Sequence, residues 1–217
     1  MPGSMPLAAM QSCLAEVYGL DLDYRVDDFL ITDRALARGL GGARRTCDEE
    51  LLIVEGNGEA NVSLYLEGEL LRRLERDNPV ETLSHRNLAD FLVAFEGVSH
   101  FTYFAFKASK DECVTLLELE LQAEVDKFVA AALLLGRQHA RVPERLHDWL
   151  FAMPRLHADL SPDEVERYER ANSYAARYCR KLWPQLSASR SLQGLASELR
   201  RFYRFPREQK IGHIGAV

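Results

Sequence analysis

The chain has 217 residues, 47% hydrophobic and 28% charged, with a formal net charge of −6, an ordinary composition for a folded protein with enough chain for one good-sized core. Its longest wholly apolar run, Phe128–Leu135, falls far short of the roughly 20 residues a membrane span needs, and the acidic total works against non-specific nucleic-acid affinity. The N-terminus has no basic region and meets Glu16 early, so no secretory leader is expected. Cys13, Cys47, Cys113 and Cys179 form no CxxC, which predicts buried, reduced thiols and a cytoplasmic protein.

In chain order, Leu7–Tyr18 reads as a short amphipathic helix ended by Gly19, and Asp27–Arg38 as a second. The glycines of Gly39–Arg45 break any period and mark a loop. Leu51–Leu66 is the one strong β signal: two runs rich in Leu, Ile, Val and Tyr flank Asn57-Gly58, a dipeptide suited to the positive φ angles of a type I′ turn. Val62, Leu64 and Leu66 share one face of the second strand, and Ser63 and Tyr65 the other. A lone hairpin is marginal in water, so this one must pack on helices or find a third strand. Gly68–Arg76 then reads as a helix that stops before Asn78-Pro79.

The remainder predicts helices. Ser84 is an N-cap for a helix running to about Lys107, with Leu88, Phe91, Leu92, Phe95, Val98 and Thr102 as its apolar stripe. Ala108–Cys113 is a polar turn. Thr115 and Glu118 then form a capping box, with Val114 and Leu119 at the staple positions. The stretch Thr115–Gly136 is apolar on every side in its second half but carries Glu118, Glu120, Glu124 and Asp126 in its first. A helix apolar all round belongs inside, and its carboxylates then need partners. LELELQ also alternates with period two, as a strand would, but the complete cap and the unbroken continuation favour a helix of about 33 Å. Pro143–Met153 holds a short helix. Ser161-Pro162-Asp163-Glu164 starts another that should end before Pro184, and Ser191–Tyr203 is the last. The expected fold is mainly α: one domain over residues 1–217, a bundle of about six or seven helices with one β-hairpin near 51–66. Its parts are the N-terminal helices and hairpin (7–76), a helical core (84–153) and basic C-terminal helices (161–204).

Two groups of residues carry the chemistry. Glu96 and His100 are four apart and share a helix face. Folding at Asp111 sets Glu96 level with Asp126 and His100 with Gln122 on the next helix, near Glu120 and Glu124. Carboxylates and a histidine on facing helices are how bundle metal sites are built, although the paired Glu-x-x-His of di-iron bundles is missing. The alternative is purely structural, with His100 bonded to a carboxylate and Lys127 paired with Glu124. The second group is the basic terminus: Arg200, Arg201, Arg204, Arg207, Lys210 and His213, interleaved with Phe202, Tyr203 and Phe205. Arginines among aromatics can hold phosphates and stack bases, yet no nucleic-acid-binding signature accompanies them. From Val165 onward there are 11 Lys+Arg against 4 Asp+Glu, leaving 16 against 29 in the rest, so the quarter can equally dock on its own acidic body.

His139, His147 and His157 form no HExxH or Hx3H pair and read as exposed or capping residues. Gly39–Gly42 lacks the strand, Lys and Ser/Thr of a phosphate loop, and no nucleophile motif is present. The first expectation for function is therefore a non-enzymatic cytosolic accessory or scaffold protein acting through protein–protein contact or self-association. The second is a helical metal-binding protein or enzyme using Glu96, His100, Glu120, Glu124 and Asp126; no cofactor is expected apart from a divalent metal under this reading. The third is an anion or nucleic-acid binder using Arg200, Arg201, Arg204, Arg207 and Lys210.

Overall fold

The helix Leu116–His139 lies at the centre, packed against helices on two sides, and its Val125 is fully buried. A computed structural model describes residues 6–41, 47–56, 59–152, 160–188 and 194–215. In chain order the elements are α1 (Pro6–Tyr18), a 3-10 turn (Val26–Phe29), β1 (Leu30–Ile31), α2 (Arg34–Gly39), β2 (Glu49–Gly56), β3 (Glu59–Leu66), α3 (Gly68–Arg76), α4 (Leu88–Ala108) and α5 (Leu116–His139). They are followed by α6 (Leu146–Phe151), α7 (Pro162–Ala188), α8 (Ala196–Arg204) and α9 (Arg207–Gly215). The protein is mainly α with one small sheet, and one apolar core runs from Leu7 through to Ile214.

The hairpin finds its third strand. β2 and β3 pair antiparallel from Glu49↔Leu66 to Gly56↔Glu59, and β1 adds in parallel, Leu30↔Leu64 and Ile31↔Tyr65. The connection at Asn57-Gly58 lies outside the described residues. As the alternation requires, Leu64 and Leu66 enter the main core, while Tyr65 packs with Leu52 and Ala37 on the opposite face. The helix expected over Asp27–Arg38 is instead broken into three pieces. Leu30 and Ile31 gain a β ladder, and Asp33 starts a new helix by accepting from the N–H groups of Ala35 and Leu36. Gln11 braces the preceding chain by donating to the Tyr24 carbonyl and accepting from the Val26 N–H.

Four other expectations change. α4 starts at Leu88 rather than just after Ser84, because Asn87 folds back to accept from the Ser84 N–H (2.8 Å) and donates to the Thr82 carbonyl (2.9 Å), holding 84–87 as a turn. α7 runs through Pro184 to Ala188: the ring removes one helical N–H, but Leu182 and Leu186 on either side are buried in the core. The last expected helix begins at Ala196, and residues 189–193 lie outside the described set. A further helix, α9, follows it. Phe205 is extended, as a residue before proline prefers, and the Pro206 carbonyl accepts from the Lys210 N–H at 3.0 Å to start that helix. Of the four free cysteines only Cys179 is fully buried; Cys113 is exposed. Burial pushes the Cys13 and Cys47 thiols up to about 11. Among the described residues no helix is long and apolar enough to cross a membrane.

Candidate metal centre

α4 and α5 are joined by a short turn at Asp111, whose φ is +55°, and so lie antiparallel. Three pairs fix their register: Tyr103 with Glu118, Ser99 with Asp126, and Glu96 with Lys127. This alignment sends the α5 carboxylates to two different places, because successive acidic residues point around the helix.

The first place is bounded by α4, α5 and β2. Glu96 and His100 come from α4, and Glu120 and Glu124 from α5, each pair one turn apart. One ligand atom each from Glu96, His100 and Glu120 can be chosen so that all lie within 4.8 Å of one another. Glu49 arrives from the start of β2, and its Oε1 lies 3.3 Å from His100 Nδ1. That approach depends on Gly97. A Cβ there would sit 2.7 Å from Glu49 Cγ and 2.9 Å from Leu64 Cδ1. Lys127 closes the outer side, donating to Glu96 (2.7 Å) and Glu124 (2.8 Å).

The chemistry of this group is unbalanced. Four carboxylates face one lysine and one histidine, in a site whose side chains range from 8% (His100) to 24% (Glu96) exposed. Among the described residues the carboxylates here outnumber the cations, where solvent screens them poorly, and Glu96 makes a further interaction besides that with Lys127. The carboxylates respond accordingly. Burial first, and then the neighbouring Glu96 and Glu120, push Glu49 above the usual range; burial and the same two neighbours do so for Glu124. Burial opposes a charge on His100, but Glu120 and Glu49 outweigh it and hold the imidazole well above its ordinary value. Burial and the charges of Glu120, Glu96 and Glu49 likewise raise Tyr168, which α7 brings alongside.

Several buried polar atoms lack a hydrogen-bond partner among the described residues, and one of them lies in this group. His100 Nε2 is sealed from solvent and has no hydrogen-bond partner among the described residues; Glu120 Oε2, 3.5 Å away, forms an ion pair with it when the ring is protonated. Once the ring gives up one proton and keeps Nδ1–H toward Glu49, its Nε2 lone pair lies beside Glu120. A carboxylate behind the far nitrogen is how metal-binding imidazoles are oriented. Glu96, His100 and Glu120 are thus positioned to hold a cation, with Glu124 at the rim and Glu49 orienting the ring. A donor set of one imidazole and several carboxylates suits manganese, iron or zinc.

The second place is the Asp126 network, whose carboxylate is fully satisfied, although the hydroxyl of Tyr203, whose ring stacks on Tyr18, has no hydrogen-bond partner among the described residues. Asp126 accepts from the Tyr18 hydroxyl, Ser99 Oγ (2.6 Å) and Gln122 Nε2 (2.7 Å). Gln122 in turn accepts from Lys210 Nζ of α9. Glu118 accepts from the Tyr103 hydroxyl (2.7 Å), with Lys107 at 3.7 Å. Thr115 caps α5 as expected, accepting from the Glu118 N–H at 3.3 Å. The Glu118 carboxylate is nevertheless spent on Tyr103 rather than on closing the box. Burial pushes Asp126 up to about 6 despite its three donors, and burial drives Lys210 down to about 7. Lys210 also lies 4.5 Å from the Tyr103 ring centroid and 4.8 Å from that of Phe202. Asp126 therefore sits apart from the other four residues of the expected carboxylate–histidine group.

The basic terminus is mostly engaged with the protein itself. Arg200 donates to the carbonyls of Glu16 and Val17, and Arg204 to those of Tyr18 and Gly19. Both cap the negative end of α1. Arg201 and His213 converge on Glu198, each at 2.6 Å. Lys210 is fully buried, and Arg207 stands alone on α9, 3.9 Å from Glu208. His139 is exposed and meets the Leu83 carbonyl at 3.1 Å, whereas His147 is buried beneath α7 and meets the Ala176 carbonyl at 2.8 Å. That placement corrects the exposed reading for His147; its ring fills apolar space beside Phe128 and Phe151. His157 lies outside the described residues. Sequence reasoning missed Glu49 and Tyr168. The only trace of Glu49 was a glycine mid-helix at position 97, three residues before the histidine. Compared with protein-family models, curated proteins and solved structures, the chain matches none.

Proposed function

We propose that this is a divalent-metal-binding protein whose ion sits among Glu96, His100 and Glu120. The observation that carries the reading is the sealed, unpartnered Nε2 of His100 beside two carboxylates. A buried imidazole nitrogen without a hydrogen bond is costly, and a cation there supplies the partner. Binding releases the His100 proton, since a ligating imidazole must be neutral. Glu124 reaches the rim, and Tyr168 is near enough to feel the charges of Glu120, Glu96 and Glu49. The free cysteines fit a reducing, cytoplasmic compartment.

The test is metal analysis of purified protein, with melting followed on adding Mn2+, Fe2+ or Zn2+. A ligand bound only by the native state raises its stability, by about 2.7 kcal/mol at a hundredfold excess over Kd. Near-stoichiometric metal, or a clear rise in Tm that His100→Gln removes, supports the proposal. No metal and no shift with any of the three ions sinks it.

A contact role has its own observation. β2 is the outer strand of the sheet, with Ile53 and Val54 each more than a third exposed, and an open strand edge can pair with another chain. Sedimentation of wild type against Ile53→Lys/Val54→Lys tests it: loss of an oligomer on substitution supports this role, and a monomer throughout removes it.

A further inference from the structure

α7 and α9 form the walls of a cavity of about 710 Å3, lined by Leu117, Arg167, Arg170, Arg207 and Ile211, with Asp163, Glu166, Glu208 and Gly212 completing it. Positions 163, 166, 167 and 170 recur at helical spacing on α7, and 207, 208, 211 and 212 on α9, so each helix presents one face to the space. Three guanidiniums converge here, and none makes a hydrogen bond among the described residues. Their nearest carboxylates are loose: Arg170–Glu166 at 3.6 Å, Arg207–Glu208 at 3.9 Å and Arg167–Glu164 at 4.0 Å.

The arginines of the same region that serve structure look different. Arg201 holds Glu198 at 2.6 Å, and Arg200 and Arg204 are bonded to the end of α1. In the cavity the acids lean outward instead: Glu166 and Glu208 are 70% and 89% exposed, against 52% and 44% for Arg170 and Arg207. Arg167 is the anchor. Only 22% exposed, it lies over the Tyr168 ring at 5.5 Å. A guanidinium fork held in place is how proteins hold phosphate and carboxylate oxygens. Leu117 and Ile211 supply an apolar wall beside it.

We infer that this cavity binds a small organic phosphate, its phosphoryl oxygens on Arg167, Arg170 and Arg207 and its apolar body against Leu117 and Ile211. The volume lies within the range of small-molecule sites. The site uses none of the proposed metal ligands, although Arg167 lies over Tyr168, which borders that centre. Of the arginines expected from the sequence to bind an anion, only Arg207 takes part; its companions come from α7.

The experiment is titration of the whole protein with phenyl phosphate, inorganic phosphate and phenol, followed by calorimetry and amide NMR. Saturable binding of phenyl phosphate is expected, tighter than inorganic phosphate and with none for phenol. Shifts should centre on the Gly212 amide, and affinity should fall at least tenfold in Arg167→Gln and in Arg207→Gln. Arg72→Gln on α3 is the control and should leave binding unchanged. Affinity equal to wild type in both cavity variants, equal loss in the control, or no saturation at millimolar ligand would overturn the assignment. If a variant fails to fold, the wild-type titration and its NMR map decide alone.

Discussion

Two groups of buried polar residues share α5, a few residues apart, and they are built on opposite principles. The Asp126 network is closed: its carboxylate has three donors, Gln122 relays to Lys210, and Glu118 has its own tyrosine and lysine. The Glu96–His100–Glu120 group is open. Among the described residues it gathers more carboxylates than cations and leaves a sealed imidazole nitrogen without a hydrogen bond. A satisfied network fixes a fold and ties α1, α4, α5 and α9 together. An unsatisfied one of similar burial leaves a place for a ligand to complete it. The contrast supports the proposed ligand site better than any motif does, since both groups use the same residue types.

The largest expected effect tests the shared spine. Val125 is fully buried beside both groups, so Val125→Asp places an unpaired charge in the core and should cost about 4 kcal/mol or prevent folding. Denaturant melts within a few tenths of wild type would remove α5 from the centre.

Next, the two groups should respond to losing a carboxylate with opposite signs. Asp126→Ala strands three donors and should cost about 3 kcal/mol. Glu124→Gln relieves crowding among ionised carboxylates and should stabilise the metal-free protein by about 1 kcal/mol while weakening metal binding. Its folded pKa is raised by burial and by Glu96 and Glu120, so ionisation of this group works against the fold at neutral pH. Equal losses in both variants would dissolve the distinction between the groups.

The closed network also sets a pH dependence. Lys210 is a base whose folded pKa is lowered to about 7, and it faces Glu118, Asp126 and Lys107. The unfolded chain therefore binds more protons at this position between pH 7 and about 10.5. Stability should rise with pH through that window, by up to roughly 1.4 kcal/mol per unit. Lys210→Met should flatten the rise; urea melts at pH 7, 8 and 9 that slope alike in both proteins would contradict it.

A smaller effect bears on the open group. Gly97→Ala crowds Glu49 and Leu64, which should cost about 1–2 kcal/mol. It should also weaken metal binding about tenfold, because Glu49 can no longer orient His100. An unchanged metal affinity would remove Glu49 from the site.

Much of this was legible in the sequence for a physical reason. The β-hairpin, the Thr115 cap and the antiparallel register of α4 and α5 follow from short-range patterns, and these determined which carboxylates could meet His100. What could not be read came from long-range packing. Glu49 is brought in by a strand some fifty residues away, through space that only Gly97 leaves. Leu30 and Ile31 form a strand because β3 offers them an edge, not because of their own propensity. Lys210 was a surface cation by residue type, yet α9, started by Pro206, buries it. Facing residues on one helix does not say which way each turns, which is why Asp126 parted from Glu120 and Glu124.

The central claim is that the open group balances itself with a divalent cation. Isothermal titration of metal-free protein with Mn2+ and with Zn2+ near pH 7.5, in wild type, His100→Gln and Asp126→Asn, tests it most directly. The account predicts one site per chain in wild type, proton release on binding, loss of the site in His100→Gln, and its retention in Asp126→Asn wherever that variant folds. Absence of binding heat for both ions, or binding that survives His100→Gln unchanged, would contradict it.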